Sequence, residues 1–270
     1  MSIGAVNNTT ASSVYTSYAA NSFALAKSMT RLSTGIKSVV DDGAGVGISE
    51  GMRSQARSTA MARNNVENGI SVLQTADGWM QRISDMLGRM HELAVESADA
   101  TKIDDDRQNI QAEFGQLQSE ISRIVTGAAK FNGRTLLDAT FSGGVPTQVG
   151  PDSGQTIDIN ITNLTSVMSS VTHVSTVSGA SNMISAVSSL IDVVAEARAN
   201  VGALQNRFEN TRAGLLTYED NIRAAESKIR DVDAARESSE MTNKQILTQV
   251  SNAMLAQANQ LPGSILQLLG

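Results

Sequence analysis

The sequence predicts a mainly α-helical protein: an elongated antiparallel helical bundle or coiled-coil rod with a small β-hairpin region and with its chain termini paired as helices. Three observations lead to this fold class. The three prolines stand at 146, 151 and 262, so residues 1–145 and 152–261 are open to long helices. Within those stretches, apolar residues recur at intervals of three and four. The two ends of the chain are uncharged, unlike its middle.

The first helical arm is predicted by apolar residues spaced three or four apart. A second, shorter piece repeats the pattern, and residues 99–106 between the two pieces read as a polar break whose acidic residues cap the next helix. The first stripe is Val66, Ile70, Leu73, Ala76, Met80, Ile83, Leu87, Met90 and Ala94, and the second is Ile110, Phe114, Leu117, Ile121 and Ile124.

The longest predicted helix covers about residues 184–232, which corresponds to roughly 70 Å at 1.5 Å per residue. Its apolar positions alternate steps of three and four in a heptad-like pattern, which is typical of helices packed side by side. They are Val201, Leu204, Phe208, Thr211, Leu215, Tyr218, Ile222, Ala225, Ile229 and Val232.

Between the helical arms, the chain changes character. Residues 142–154 are rich in glycine and contain Pro146 and Pro151, which indicates turns and loops. Residues 156–162 then alternate polar and apolar side chains with the period of a strand. We therefore expect a small β-hairpin region at about 130–165.

Charge is absent from both ends of the chain. The net charge is −6, yet every charged side chain lies between Lys27 and Lys244. Two interpretations stay open: frayed, disordered tails, or a pair of helices that become ordered only on assembly. The terminal apolar stripes on which the second depends are Tyr18, Leu25, Met29, Leu32 and Ile36, and then Leu247, Val250, Met254, Ala258 and Leu261.

Composition and motifs exclude several function classes. Without cysteine the chain has no disulfides and no thiolate metal sites. A pI near 5.0 argues against a nucleic-acid binder, and no continuous apolar stretch long enough for a membrane span stands out. His91 and Glu92 are followed by Val95 rather than by the second histidine of a zinc protease. We expect no enzyme activity, no catalytic or metal site and no cofactor.

Several motifs together resemble bacterial flagellin. Near the start these are residues 31–36 (RLSTGI), 41–45 (DDGAG) and 68–78 (NGISVLQTADG). Residues 131–137 (FNGRTLL) follow in the middle, and residues 228–235 (KIRDVDAA), 241–247 (MTNKQIL) and 255–262 (LAQANQLP) near the end. The resemblance covers nearly the whole chain in the right order, and the large outer domains of many flagellins are missing.

The resemblance implies two domains in a subunit of the motility filament. Residues 1–42 and 231–270 would form a terminal helical domain that lines the filament core, and residues 43–230 would form a domain of long helices with the β-hairpin. Glycines 43, 45 and 47 would form a hinge between them. The residues expected to carry assembly of the core are Leu25, Leu32, Leu247, Val250, Met254, Leu255 and Leu261.

The resemblance also implies the partners and the location. The chain would form a homopolymer with other flagellin subunits, bind hook-associated junction and cap proteins and a flagellin export chaperone, and bind neither nucleic acid nor membrane. The start of the chain lacks the pattern of a Sec signal peptide. We therefore expect an extracellular flagellar filament protein that is exported without a cleaved signal.

One segment, residues 89–95 (RMHELAV), resembles the flagellin segment that Toll-like receptor 5 recognises. Arg89 and Leu93 match that motif, and Glu113 matches its partner on the next helix. Arg89 and Leu93 are four residues apart, so they are expected to share a helix face. The alternative is that this surface serves only packing between subunits in the filament.

Two other functions compete with the filament subunit. A hook–filament junction protein shares the terminal features, although the run at residues 255–262 and the match across the long helices favour flagellin. A helical coiled-coil regulator or chaperone would be expected to have charged, dispensable ends.

Overall fold

The structure, a computed structural model, describes residues 9–165 and 171–269. Contacts along the chain divide it into a central unit, residues 55–221, and a terminal unit, residues 1–54 and 222–270. Both boundaries fall inside long helices, so helices α2 and α4 contribute to each unit. In chain order the elements are α1 (Thr9–Thr34), α2 (Gly43–Ala98), α3 (Asp104–Arg123) with a π-helical turn (Ile124–Ala128), β1 (Lys130–Phe131), β2 (Arg134–Thr135), β3 (Val145–Gln148), β4 (Thr156–Ile159), α4 (Val177–Arg230) and α5 (Ala234–Leu269).

The central unit is built around antiparallel helices. Asp77 of α2 pairs with Arg198 of α4 at 2.8 Å, and Arg63, earlier in α2, pairs with Glu219, later in α4. All nine residues of the first predicted stripe are buried, as are Phe114, Val201, Phe208 and Leu215 from the other two. The predicted class, mainly helical with a small β region, is confirmed. The helix predicted to be the longest, α4, begins at Val177, seven residues earlier than expected, and its 54 residues make it slightly shorter than α2 with 56.

Gly69 of α2 lies directly against the ring of Phe208 on α4. A Cβ atom at this position would lie 2.5 Å from Cε1 of the buried Phe208 ring. A side chain there must displace a ring in a packed core, and such overpacking costs about 1–3 kcal/mol.

We therefore expect Gly69→Ala to lower the free energy of unfolding of the central unit, measured by urea denaturation. Gly78→Ala in the same helix is the matched control, because a Cβ atom at Gly78 would meet no described neighbour within 4 Å. Alanine there adds only helix propensity, worth up to about 1 kcal/mol. If both variants change the free energy of unfolding equally and in the same direction, this account of Gly69 is wrong.

The break between α2 and α3 is closed by a buried arginine. Arg107 donates to the carbonyl oxygens of Ser97, Asp99 and Lys102 at 2.7–2.8 Å, which satisfies the free end of α2. The predicted break is present, but the prediction that acidic residues cap α3 is wrong. Ile103 is the N-cap residue, and the acids at 104–106 occupy the first turn, where they stabilise the helix dipole.

The β region contains two separate hairpins instead of one. In the first, β1 and β2 pair with Phe131 opposite Arg134, so only Asn132 and Gly133 form the turn. Both turn residues have positive φ, as a two-residue turn of this kind requires. In the second, β3 pairs with β4 over Val145–Gln148 and Thr156–Ile159. Residues 156–159 bury Ile157 and Ile159, which confirms the alternation read from the sequence.

By length and mean hydropathy alone, helix α4 could cross a membrane. The sequence does not reveal this property at once, because the apolar residues of α4 do not form an uninterrupted run. Within the central unit, however, its apolar face belongs to the hydrophobic core, and Arg198 on the same helix is paired with Asp77. These contacts identify it as a core helix. The buried residues of its first half are Ala180, Met183, Val187, Leu190, Val194, Ala197 and Val201.

The terminal unit pairs the two ends of the described chain. Helices α1 and α5 pack against each other, and Arg31 of α1 approaches Glu237 of α5 at 3.5 Å. Helix α1 ends at Gly35, whose φ of 70° closes the helix with a hydrogen bond from its N–H to the Arg31 carbonyl at 2.8 Å. The predicted pairing of the termini as helices is therefore present in one chain.

Candidate assembly surface

The inner faces of α1 and α5 are narrow and built from small side chains. Among the described side chains of residues 9–34 and 245–260, only Ser28, Ser251 and Ala258 are buried, while Leu25, Leu32 and Leu255 are half-buried. These three leucines therefore lie between the paired helices. Serine and alanine bury little apolar area, so the contact between the two helices alone is weak.

The outer faces of the same helices are apolar and exposed. Leu247, Val250 and Met254 follow one another at intervals of three and four on α5, and each is 44–53% exposed. No charged residue occurs within residues 1–26 or 245–270, so this apolar surface has no charged rim along the uncharged stretches. Exposed apolar surface of this kind marks an interaction site. Its other large members are Tyr15, Phe23 and Met29 on α1 and Ile246 on α5.

The predicted assembly residues thus divide into two groups. Leu25, Leu32 and Leu255 are half-buried, and Leu247, Val250 and Met254 stay exposed when α1 and α5 pair. The side chain of Leu261 lies outside the described residues. The sequence stripe missed this division, because a single apolar stripe does not reveal that a helix has one face for its own chain and another for a neighbour.

The charges nearest to the uncharged ends are held in an internal network. Asp41, whose side chain is 2% exposed, accepts a hydrogen bond from Arg31 Nε at 3.0 Å and pairs with Lys27 Nζ at 2.7 Å. It also accepts from the N–H and hydroxyl of Ser38 at 2.9 and 3.1 Å. Arg31 extends the network to Glu237 of α5. Lys27 and Arg31 are therefore directed inward and away from the apolar outer face.

These contacts change the acidity of Asp41. The hydrogen bond from Arg31 is the largest cause that holds the pKa of the Asp41 carboxyl well below its usual range, and Lys27 and Ser38 act in the same direction against the opposing effect of burial. The carboxylate therefore stays ionised at neutral and mildly acidic pH.

The segment after α1 is bound to the end of α4. Ile36 forms an antiparallel β-bridge with Asp231, and the N–H of Lys37 donates to the Arg230 carbonyl at 2.8 Å. The Lys37 ammonium group reaches the Ile229 carbonyl at 3.0 Å. The sequence showed no signal for this bridge, because two residues at such a separation have no detectable strand pattern.

The three glycines predicted to form a hinge are helical. Gly43, Gly45 and Gly47 all lie in the first two turns of α2, and Asp42 caps the helix by accepting a hydrogen bond from the Gly45 N–H at 2.8 Å. The cap starts the helix immediately before these glycines, and their role as a hinge stays a prediction. The irregular connection precedes them, at residues 35–42.

The residues predicted for receptor recognition differ in accessibility. Arg89 is exposed and joins α2 to α3 through Glu113, with 2.8 Å between Arg89 Nε and Glu113 Oε1. Leu93, however, is only 1% exposed. Arg89 and Leu93 lie one turn apart on α2, but Leu93 lies on the flank of the core stripe, two turns after the half-buried Met86. The role of these residues in receptor recognition stays a prediction.

No candidate metal site is found among the described residues. Among residues 9–165 and 171–269, no group of three or more histidine or acidic side chains is placed to hold a metal ion. The arrangement of the terminal unit instead offers an uncharged apolar surface for contact with another protein.

Comparison with known proteins identifies the family. The model of the bacterial flagellin N-terminal helical region matches residues 6–142, and that of the bacterial flagellin C-terminal helical region matches residues 184–269. A flagellin of Halalkalibacterium halodurans is 41% identical over 90% of this chain and 91% of its own length, and one of Bacillus subtilis is 37% identical over 92% and 94%.

A solved structure agrees with these matches. The crystal structure of Bacillus cereus flagellin superposes with a TM-score of 0.52 at 27% identity, and the match covers 56% of this chain and 88% of that one. The family models and the sequence relatives together confirm the resemblance over about 90% of the chain. The chain belongs to the bacterial flagellin family and is a structural subunit of the flagellar filament outside the cell.

Proposed function

We propose that the subunit polymerises through the outer faces of α1 and α5, which bind neighbouring copies in the filament core. The observation that carries this proposal is the coincidence of two properties. The stretches without charge also expose large apolar side chains in the single chain, and these are Tyr15, Phe23, Ile246, Leu247, Val250 and Met254. Burying a charge without a partner would cost several kcal/mol, so a surface that must be dry in the polymer has to be free of charge.

The weak contact inside the helix pair supports the same proposal. A pair joined mainly through serine, alanine and half-buried leucines gains more stability when neighbours cover its outer faces. Assembly and ordering of the ends are then coupled. Repeated contacts that do not close into a ring generate a helical polymer.

We assign residues 1–42 and 231–270 to the domain in the filament core and residues 43–230 to the domain of long helices. The terminal unit found from contacts is slightly larger, since it includes residues up to 54 and from 222. The pairing of Arg53 with Glu226 at 3.0 Å supports the larger limits for the folded unit. The glycines at 43, 45 and 47 keep their proposed role as a point of bending within the start of α2.

The same faces offer a common surface for the other proposed partners. Hook-associated junction and cap proteins would meet the exposed apolar residues of α1 and α5 at the two ends of a filament, and an export chaperone would cover them before assembly. Each of these partners requires a matching apolar surface. Recognition by Toll-like receptor 5 would depend on the exposed pair Arg89 and Glu113, with Leu93 supporting the helix from within.

Seeded polymerisation tests the proposal. Filaments are depolymerised by heat, fresh subunits are added to short seeds, and growth is followed by electron microscopy. We expect the intact chain to extend the seeds and a chain lacking residues 245–270 to remain unpolymerised, because it lacks Leu247, Val250 and Met254. Growth of filaments from the shortened chain would overturn the assignment. Circular dichroism serves as the folding control, because the shortened chain should keep the helical signal of the central unit.

A further inference from the structure

Two exposed methionines lie on the outer faces of the terminal helices. We propose that Met29 and Met254 are oxidation sites, and that conversion of their thioethers to sulfoxides by a peroxide prevents the free subunit from assembling. The proposal rests on the proposed role of these faces in polymerisation. It adds a chemical modification through which an oxidant would control that role.

Exposure separates three methionines from those in the core, and two of the three lie on the terminal helices. Met29 is 47% exposed, Met254 is 53% exposed, and Met61 of the central unit is 60% exposed. In contrast, Met80, Met90 and Met183 are at most 4% exposed and lie in the core. Since oxidation of methionine follows access to the sulfur, peroxide should reach the exposed group first.

Oxidation of Met254 would introduce a polar group into an uncharged apolar strip. Val250 lies one turn before it and Leu247 two turns before it, so the sulfur extends an apolar strip without any charge. Met29 extends the corresponding face of α1, where Ala26 is one turn away and exposed. Met61 lies outside these helices, and this makes it an internal comparison.

The reaction is a two-electron oxidation of sulfur. A lone pair of the thioether attacks one oxygen of hydrogen peroxide, the S–O bond forms and the O–O bond breaks. The departing hydroxide takes up the proton from the transferred oxygen and leaves as water. The product is a polar sulfoxide in place of an apolar thioether.

The sulfoxide should act on assembly and leave the fold unchanged. In the free subunit both side chains already face water, so the new oxygen is hydrated and α1 and α5 remain paired. In the filament the same oxygen would be buried against apolar groups of a neighbour without a hydrogen bond, which is unfavourable. We expect growth on seeds to fall by about tenfold or more.

The first experiment treats the subunit with hydrogen peroxide alone. Free subunits are oxidised, peroxide is removed, and mass spectrometry of peptides locates each added oxygen before seeds are supplied. We expect sulfoxides at Met29, Met254 and Met61, little at Met80, Met90 and Met183, and loss of growth. Reduction with methionine sulfoxide reductases should restore growth. Normal growth of subunits carrying both sulfoxides, or failure of reduction to restore it, would overturn the proposal.

Two matched variants assign the effect. Met29→Leu/Met254→Leu retains apolar side chains of similar volume and should keep growing after peroxide treatment, whereas Met61→Leu should stay sensitive. If Met61→Leu subunits keep growing after peroxide treatment, the sulfur that matters is that of Met61, and the proposal is wrong.

Protection of Met254 from peroxide in the filament provides a measurement that needs no variant. Met254 should oxidise about tenfold more slowly in filaments than in free subunits, and an equal rate would contradict the proposal. Untreated wild-type subunits that fail to polymerise would instead contradict the proposed function itself.

Discussion

A single carboxylate at position 250 should abolish growth of filaments. In the Val250→Asp variant the charge replaces a side chain that is 51% exposed in the single chain and lies between Leu247 and Met254 on the outer face of α5. A neighbour that covers this face would bury the charge without a partner, at a cost of several kcal/mol. Because every subunit repeats the contact, we expect growth on seeds to fall below detection by electron microscopy.

The control for this variant is Asn243→Asp. Residue 243 is exposed on the same helix but lies just outside the uncharged stretch, beside Lys244. We expect that variant to extend seeds at close to the wild-type rate. Both variants should keep the circular dichroism spectrum of the parent, because neither position is buried. Normal growth of Val250→Asp would mean that this face of α5 is exposed to water in the filament.

Removal of the Asp41 carboxylate should loosen the terminal unit. Asp41→Ala deprives Lys27, Arg31 and Ser38 of their shared acceptor, and hydrogen bonds to a buried charged group are worth about 1.5–3 kcal/mol each. Since both cations are partly exposed and regain water, we expect a net loss of about 2–4 kcal/mol. Hydrogen exchange of amides in residues 27–42 should report the loss, while amides of the central core stay protected.

The same residue predicts how stability depends on pH. The pKa of Asp41 is lower in the folded chain than in the unfolded chain, mainly because of Arg31. Its contribution is therefore fully present above the unfolded pKa, near 4, and is lost as the pH falls through the folded pKa. We expect the terminal unit of the parent to lose stability progressively below about pH 4. The Asp41→Asn variant, which cannot ionise, should lack that part of the dependence.

A surface pair provides the control for the acid experiment. Glu240 pairs with Arg236 one turn away on α5, and both are well exposed. Such pairs contribute at most about 1 kcal/mol. Glu240→Gln should therefore leave the stability of the terminal unit and its pH dependence almost unchanged. If Glu240→Gln and Asp41→Asn behave alike, the network around Asp41 is not the source of the acid sensitivity.

Much of the fold could be predicted because its signals are local or periodic. The apolar stripe from Val66 to Ala94 is buried throughout, since a long helix repeats its core face at fixed intervals. The apolar stripes at the two ends indicated a helix pair for the same reason, with frayed tails as the alternative. The alternation of residues 156–159 identified one strand of the second hairpin.

The remaining features depend on contacts between distant residues. Leu93 has the same spacing from Arg89 as an exposed partner would have, and only the packed structure shows that it is buried. Asp41 looked like part of a glycine-rich connection, but Lys27, Arg31 and Ser38 converge on it. The cap formed by Asp42 turned the predicted hinge glycines into helix, because one side-chain hydrogen bond is enough to start α2 there.

The bridge between Ile36 and Asp231 has a consequence for the order of folding. Its partners are separated by almost the whole chain, whereas the contacts of the central unit include hairpins and neighbouring helices that close over short distances. Long loops close slowly, so the central unit should form first and the terminal unit last. Until α5 has been synthesised, α1 has no helix to pair with. With the proposed role of α1 and α5, we expect competence to polymerise to appear only at the end of folding, so that incompletely folded subunits would not enter a filament.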